Sequence, residues 1–148
     1  MFTSFFPRKR RSLVLFLAAF MIDLLSKEWA LRTLPAPSFR GGAGFFALAL
    51  HFNPGAAFSL FRSMPGTAAA LAVAGILVLL LMRRLFPAFR RSPAEALLFA
   101  GAAGNLADRV LHGHVVDWLK VGPLHLNAAD FFLCLGALLF LNEIVKQK

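Results

Sequence analysis

The chain has 148 residues, 59% of them hydrophobic, with sixteen Lys and Arg against seven Asp and Glu and a net charge of +9. Its mean hydropathy of +0.70 exceeds that of a soluble domain and points to an integral membrane protein. The basic residues cluster between apolar runs instead of covering one face, which argues against a nucleic-acid binder. The single cysteine, Cys134, excludes an internal disulfide framework or thiolate metal site and is expected to pack as a small hydrophobe.

Four candidate spans follow in chain order: residues 12–34, 66–82, 93–111 and 125–145. Each is near the ~20 residues needed to cross a bilayer, and Gly and Ala in the third allow close helix packing. Arg8, Lys9, Arg10 and Arg11 precede the first span. Arg83, Arg84, Arg90 and Arg91 link the second and third, and Lys146 and Lys148 end the chain. By the positive-inside rule both termini are expected to be cytoplasmic. A basic segment before an apolar core also suits a cleavable leader. However, the helical pattern runs on through Asp23, Lys27 and Glu28 without a small-x-small site after the core. The segment is therefore read as a retained span. In the long loop 35–65, large residues at Phe46, Leu48, Leu50 and Phe52 alternate with Ala47, Ala49, His51 and Asn53, a strand-like period of two. Pro54 and Gly55 then break the strand. The expected fold is an all-α membrane protein, a bundle of four transmembrane helices with a small extracytoplasmic β-type loop region, forming one domain over residues 1–148.

Counting about 1.5 Å per residue from each cytoplasmic end, Asp23 and Lys27 fall past the middle of the first span and share a helix face. Asn105, Asp108 and Arg109 lie near the outer end of the third span, and Asn127 and Asp130 lie at the outer start of the fourth. Asp117 sits in the short connection between those two spans. An Asp, Lys or Arg at a span's centre costs roughly 2.5–3.5 kcal/mol, and less near the ends, so this convergence marks a single polar site near the outer leaflet. Asp23 with Lys27, and Asp108 with Arg109, read equally as internal pairs that hold helices together. Asn127 also suits a helix N-cap. Asp117 and Asp130 lack a cation at ideal helical spacing.

Two such carboxylates brought close together would share one proton, as in an aspartic protease, with one member acting as general base and the other as acid. His51, His112, His114 and His125 lack metal-ligand spacing and are expected at the surface or interface. No GxSxG elbow or phosphate loop is present. The residues alone leave a proton-coupled transporter as a close alternative, and a scaffold protein that uses the polar cluster as helix glue as a further one.

The motifs DLLSK (23–27), NPGAAF (53–58), GAAGNLADR (101–109), VVDW (115–118) and NAAD (127–130) together resemble the bacterial lipoprotein signal peptidases, the type II signal peptidases. The match covers nearly the whole chain. The resemblance implies a four-span aspartic peptidase of the bacterial inner membrane, with Asp117 and Asp130 as the catalytic dyad. It implies substrate-binding or supporting roles for Asp23, Lys27, Asn53, Gly55, Asn105, Asp108, Arg109 and Asn127. The implied substrate is a diacylglyceryl-modified prolipoprotein met in membrane lipid and cleaved just before its lipid-bearing cysteine. No metal or other cofactor is expected, and the protein is expected to work as a monomer. Ala100 departs from the family pattern where a glycine is common, Leu126 where an aromatic is common, and VGPLHL replaces a longer segment.

Overall fold

The computed structural model describes residues 8–35, 45–54, 67–87 and 89–146. Gly55, Arg40, Arg62 and most of the loop 35–65 lie outside these residues. The elements run α1 (Arg8–Thr33), β1 (Phe46–Asn53), α2 (Thr67–Leu85), α3 (Pro93–His112), β2 (Val115–Val121), β3 (Leu124–Leu126) and α4 (Ala128–Val145). The fold is thus mostly helical with a small antiparallel sheet.

The helix ends follow local chemistry. Ser92 caps α3 by accepting a hydrogen bond from the Glu95 amide at 3.1 Å, and Pro93 occupies the first turn, where its missing N–H costs nothing. Gly113 closes the other end at φ +74°, in the left-handed region, and its amide bonds to the Arg109 carbonyl at 3.1 Å. Helix α4 begins three residues later than the apolar run at 125 suggests, because His125 and Leu126 pair in β3 and Asn127 is the cap. Helix α1 begins earlier than residue 12, since the basic run at Arg8–Arg11 is already helical.

Helix α3 is the central element and packs against α1, α2 and α4. Its closeness to α4 requires glycine. A Cβ at Gly101 would lie 2.6 Å from the Ala129 carbonyl oxygen and 2.7 Å from Leu133 Cγ. One apolar cluster joins Leu79, Phe89, Ala94, Leu98 and Phe140, and a second joins Ala19, Leu97 and Ala100. The outward faces are apolar as well: Leu13, Val14 and Leu17 on α1, Leu77 and Val78 on α2, and Leu135 and Leu138 on α4 are all exposed. Among the described residues, α4 is long and apolar enough to cross a membrane by length and composition. Cys134 is exposed on this helix and is not packed inside. Leu135, next in sequence, is exposed with it, so an apolar context did not signal burial.

The sheet has the order β1-β2-β3, all antiparallel. The alternation at 46–53 does form a strand, but Phe46 and Leu48 point outward and only Leu50 is buried, against Ala30 and Val116. The connection that holds Asp117 is β2 itself, hydrogen-bonded on both edges. The turn to β3 passes through Gly122 at φ +55°, whose amide donates to the Phe45 carbonyl at 2.7 Å. Register slips between Leu48 and His51. Pairing runs from Phe46↔Val121 to Leu48↔Leu119 and resumes at His51↔Asp117, so β1 carries one extra residue.

Candidate active site

The sheet and the helix ends meet on two aspartates. Asp117, in the middle of β2, is 1% exposed. Its Oδ1 accepts a hydrogen bond from Asn127 Nδ2 at 2.7 Å and its Oδ2 accepts one from Asn53 Nδ2 at 3.3 Å. Asp130 stands in the first turn of α4. Its Oδ1 accepts from Asn105 Nδ2 at 3.1 Å and its Oδ2 from the Asn127 amide at 3.0 Å. The Asn127 side chain returns the bond through Oδ1, which accepts the Asp130 amide at 3.1 Å and completes a capping box. One asparagine therefore holds both carboxylates.

Beneath them lies a buried charge hub. Lys27 Nζ donates to Asp23 Oδ2 at 2.7 Å and to Asn105 Oδ1 at 3.2 Å, and stands 3.0 Å from Asp108 Oδ2. Asp23 Oδ1 accepts the Ala129 amide at 2.8 Å, which satisfies an N–H that the start of α4 would otherwise leave unpaired. Asp108 Oδ2 accepts the Val116 amide at 3.0 Å and so fixes the backbone beside Asp117. Asp108 thus meets Lys27 of α1 across the bundle. The Arg109 Nη1 donates to the Asn105 carbonyl at 2.9 Å, and its charge reaches Asp117, Asp130 and Asp108. Asn105 Oδ1 also accepts from Asn127 Nδ2 at 3.2 Å. Every member of the hub touches another, which removes the penalty for burying polar groups singly.

A cavity of about 460 Å³ opens over the aspartates. Asn53, Asn105, Arg109, Asp117 and Asp130 form its polar wall, and Leu71, Ala72, Gly75, Leu79, Ala102 and Leu133 its apolar one. Such a site takes a substrate that is polar at one edge and apolar along the other. Burial first, and then the Asp130 charge, push the Asp117 carboxyl up to about 7; the bonds from Asn127 and Asn53 and the charge of Lys27 pull it down. Near neutral pH this carboxyl takes up and releases a proton readily.

The structure therefore gathers Asp23, Lys27, Asn53, Asn105, Asp108, Arg109, Asp117, Asn127 and Asp130, while Gly55 falls outside the described residues. Two contributions were missed in the sequence. Helix α2 supplies the apolar wall, for which only its run of small residues near Gly75 gave a signal. His51, expected at the surface or interface without a part in the site, has Nδ1 3.8 Å from Asp117 Oδ2. Among the described residues no group of three His, Cys, Asp or Glu side chains is gathered as a metal site.

Residues 15–146 match the family described as Signal peptidase (SPase) II. A protein of Neisseria gonorrhoeae named lipoprotein signal peptidase is 39% identical, the match covering 95% of this chain and 93% of that one. Two solved structures, each titled a bacterial membrane enzyme determined by the in meso method, share the fold. One has a TM-score of 0.75 at 27% identity, covering 92% of this chain and 88% of its own. The other has a TM-score of 0.72 at 26% identity, covering 93% and 94%.

Proposed function

The chain belongs to the signal peptidase II family, and from that premise we propose that Asp117 and Asp130 are the catalytic pair with which it hydrolyses its substrate. It is a peptidase of the bacterial inner membrane that removes signal peptides from prolipoproteins. The carrying observation is the pair of aspartates held on one cavity by Asn127.

The pair shares one proton. Asp117, with its raised affinity, holds the proton in the resting enzyme, and Asp130 carries the charge. Asp130 takes a proton from an attacking water as general base, and Asp117 donates to the scissile carbonyl. The tetrahedral intermediate then collapses with a proton passing to the leaving amine. Arg109 and Asn53 stand on the cavity wall to orient the substrate backbone. Asp23, Lys27, Asn105, Asp108 and Asn127 hold the pair in place, and Gly55 keeps the supporting role that the family resemblance implies.

The apolar wall from α2 and Leu133 suits a diacylglyceryl-bearing cysteine, with cleavage just before it. The exposed apolar faces of α1, α2 and α4 suit contact with lipid; in this reading the chain makes four spans, with both termini cytoplasmic from the placement of the basic residues, residues 1–148 acting as one domain and the site near the outer leaflet. Phe45 and, on β1, Phe46 and Leu48 are exposed, which suits an element resting in the membrane interface. The chain works as a monomer in this reading. The test is incubation of purified protein with a diacylglyceryl-modified precursor and with the same precursor lacking the lipid. Cleavage of the modified form alone, abolished by Asp117→Asn and by Asp130→Asn, is expected. Full activity of both variants would sink the dyad.

A further inference from the structure

The extra residue in β1 has a chemical result at the active site. If the pairing of Leu48 with Leu119 continued regularly, Leu50 would stand opposite Asp117. The bulge puts His51 there instead and turns Leu50 into the cluster with Ala30 and Val116. The His51 Nδ1 lies 3.8 Å from Asp117 Oδ2, the oxygen that Asn53 also approaches, while Asn127 holds Oδ1 on the other side. The His51 ring does not lie loose over the carboxylate. It stacks on His125 of β3, with ring centres 4.2 Å apart and planes 18° from parallel.

We propose that His51, held by its stack on His125, is a positioning residue for Asp117 that sets a cationic imidazole on the carboxylate and keeps the aspartate pair active under mildly acidic conditions. This rests on the reading of Asp117 and Asp130 as the catalytic pair. Among the described residues, the titratable groups facing His51 are Asp117 from β2 and His125 from β3. Lys120 of β2 pairs with His125 in register. Asp117 faces in turn Asp130 of α4, Arg109 of α3 and Lys27 of α1.

Two stacked imidazoles resist carrying two positive charges at once. Burial, and then the neighbouring Lys120 charge, hold the His125 pKa below its ordinary value. Of the two rings, His51 is the one placed to set a charge on the carboxylate. An aspartic pair loses activity on acidification when it gains its second proton. A cation beside the pair opposes that second proton, so a charged His51 protects the pair as the pH falls.

The experiment is the pH profile of cleavage of a diacylglyceryl-modified precursor by the full-length protein and by His51→Gln and His51→Lys. Thermal unfolding of each confirms that folded protein is compared. Opposite charges within 4–6 Å move a carboxylate by roughly 1–3 units when buried, so a half-exposed imidazole is expected to move the acid limb by about 0.5–1 unit. The acid limb of His51→Gln should shift to higher pH by that amount. That of His51→Lys, always charged, should stay at or below the parent's. Limbs that coincide in all three proteins, or that shift in the same direction in both variants, overturn the proposal. Inactive Asp117→Asn and Asp130→Asn proteins alongside such coincident limbs would leave the catalytic reading intact and remove only the role of His51.

Discussion

Asn127 and Asp130 cap one another at the start of α4: the Asp130 amide donates to Asn127 Oδ1 at 3.1 Å, and the Asn127 amide donates to Asp130 Oδ2 at 3.0 Å. The helix cap and the catalytic carboxylate are thus one construction. Asn127 adds a second task by donating to Asp117 Oδ1 at 2.7 Å. Serine at 127 retains the capping oxygen but is too short to reach Asp117. Asn127→Ser should therefore change stability by less than about 1 kcal/mol while lowering kcat at least about tenfold by releasing Asp117. Asn127→Ala loses both and should cost about 1–2 kcal/mol. Thermal unfolding in detergent, set beside the rate of precursor cleavage, separates the two tasks.

Asp117 makes catalysis and stability oppose each other. Its carboxyl ionises near 3.8 in an ordinary setting and at about 7 here, where burial and then the Asp130 charge hold the proton on. Between those values the folded protein keeps a proton that the unfolded chain has released, so stability falls as pH rises through that window. The loss is on the order of a few kcal/mol. Asp117→Asn removes this titration and should lack that part of the pH slope. The difference in Tm, variant minus parent, should therefore increase from pH 4 to pH 7 while cleavage is abolished. A difference that stays flat across this range would refute the buried-charge account.

The hub below the site tests burial against exposure. Lys27 neutralises Asp23, fully buried, and Asp108, 5% exposed. Lys27→Met leaves both carboxylates without their shared cation and should destabilise the protein by about 3–5 kcal/mol. The pair Arg32 with Glu28 has a similar spacing and a shorter contact, 2.6 Å, but lies on the exposed end of α1. Arg32→Ala should leave Tm unchanged within error. Equal losses in the two variants would show that distance, and not burial, sets the worth of these pairs.

The limits of the sequence are visible residue by residue. Helices were legible because each apolar run is local, and β1 because its alternation is local. Asn127 as a cap followed from one residue before an apolar run. What escaped was set by partners distant in sequence. VVDWLKV shows no clear alternation, and its strand character comes from β1, more than sixty residues earlier by the Asn53–Asp117 bond. Asp108 sits beside Arg109 in sequence, but its contact with Lys27 of α1 joins residues far apart in the chain, which no local pattern announces. His51 was read as a surface or interfacial residue, and its place beside Asp117 was missed because a one-residue bulge decides which β1 side chain meets Asp117, and no local pattern announces that bulge. Cys134 was misplaced for another reason. In this chain apolar sequence marks the outward faces as well as the core.

Two glycines on the cavity's helices separate packing from access. At Gly104 of α3 an added Cβ would overlap Asp23 Oδ2, the oxygen that holds Lys27. Neither atom can yield cheaply, since Asp23 is tied to Ala129 as well. Gly104→Ala should therefore cost at least about 2 kcal/mol and lower cleavage through the displaced hub. Gly75 of α2 also lines the cavity, yet a Cβ there meets nothing within 4 Å. Gly75→Ala should leave stability equal or raise it by up to about 1 kcal/mol through helix propensity. Its methyl group instead occupies space on the apolar wall. If that wall receives the lipid-bearing part of the precursor, the expected change is a raised KM with kcat nearly unchanged, because the binding removed is uniform between ground and transition states. A Gly75→Ala protein with the parent's KM would place the lipid elsewhere, and one with a much lower kcat would mean that α2 reaches the reacting bond itself.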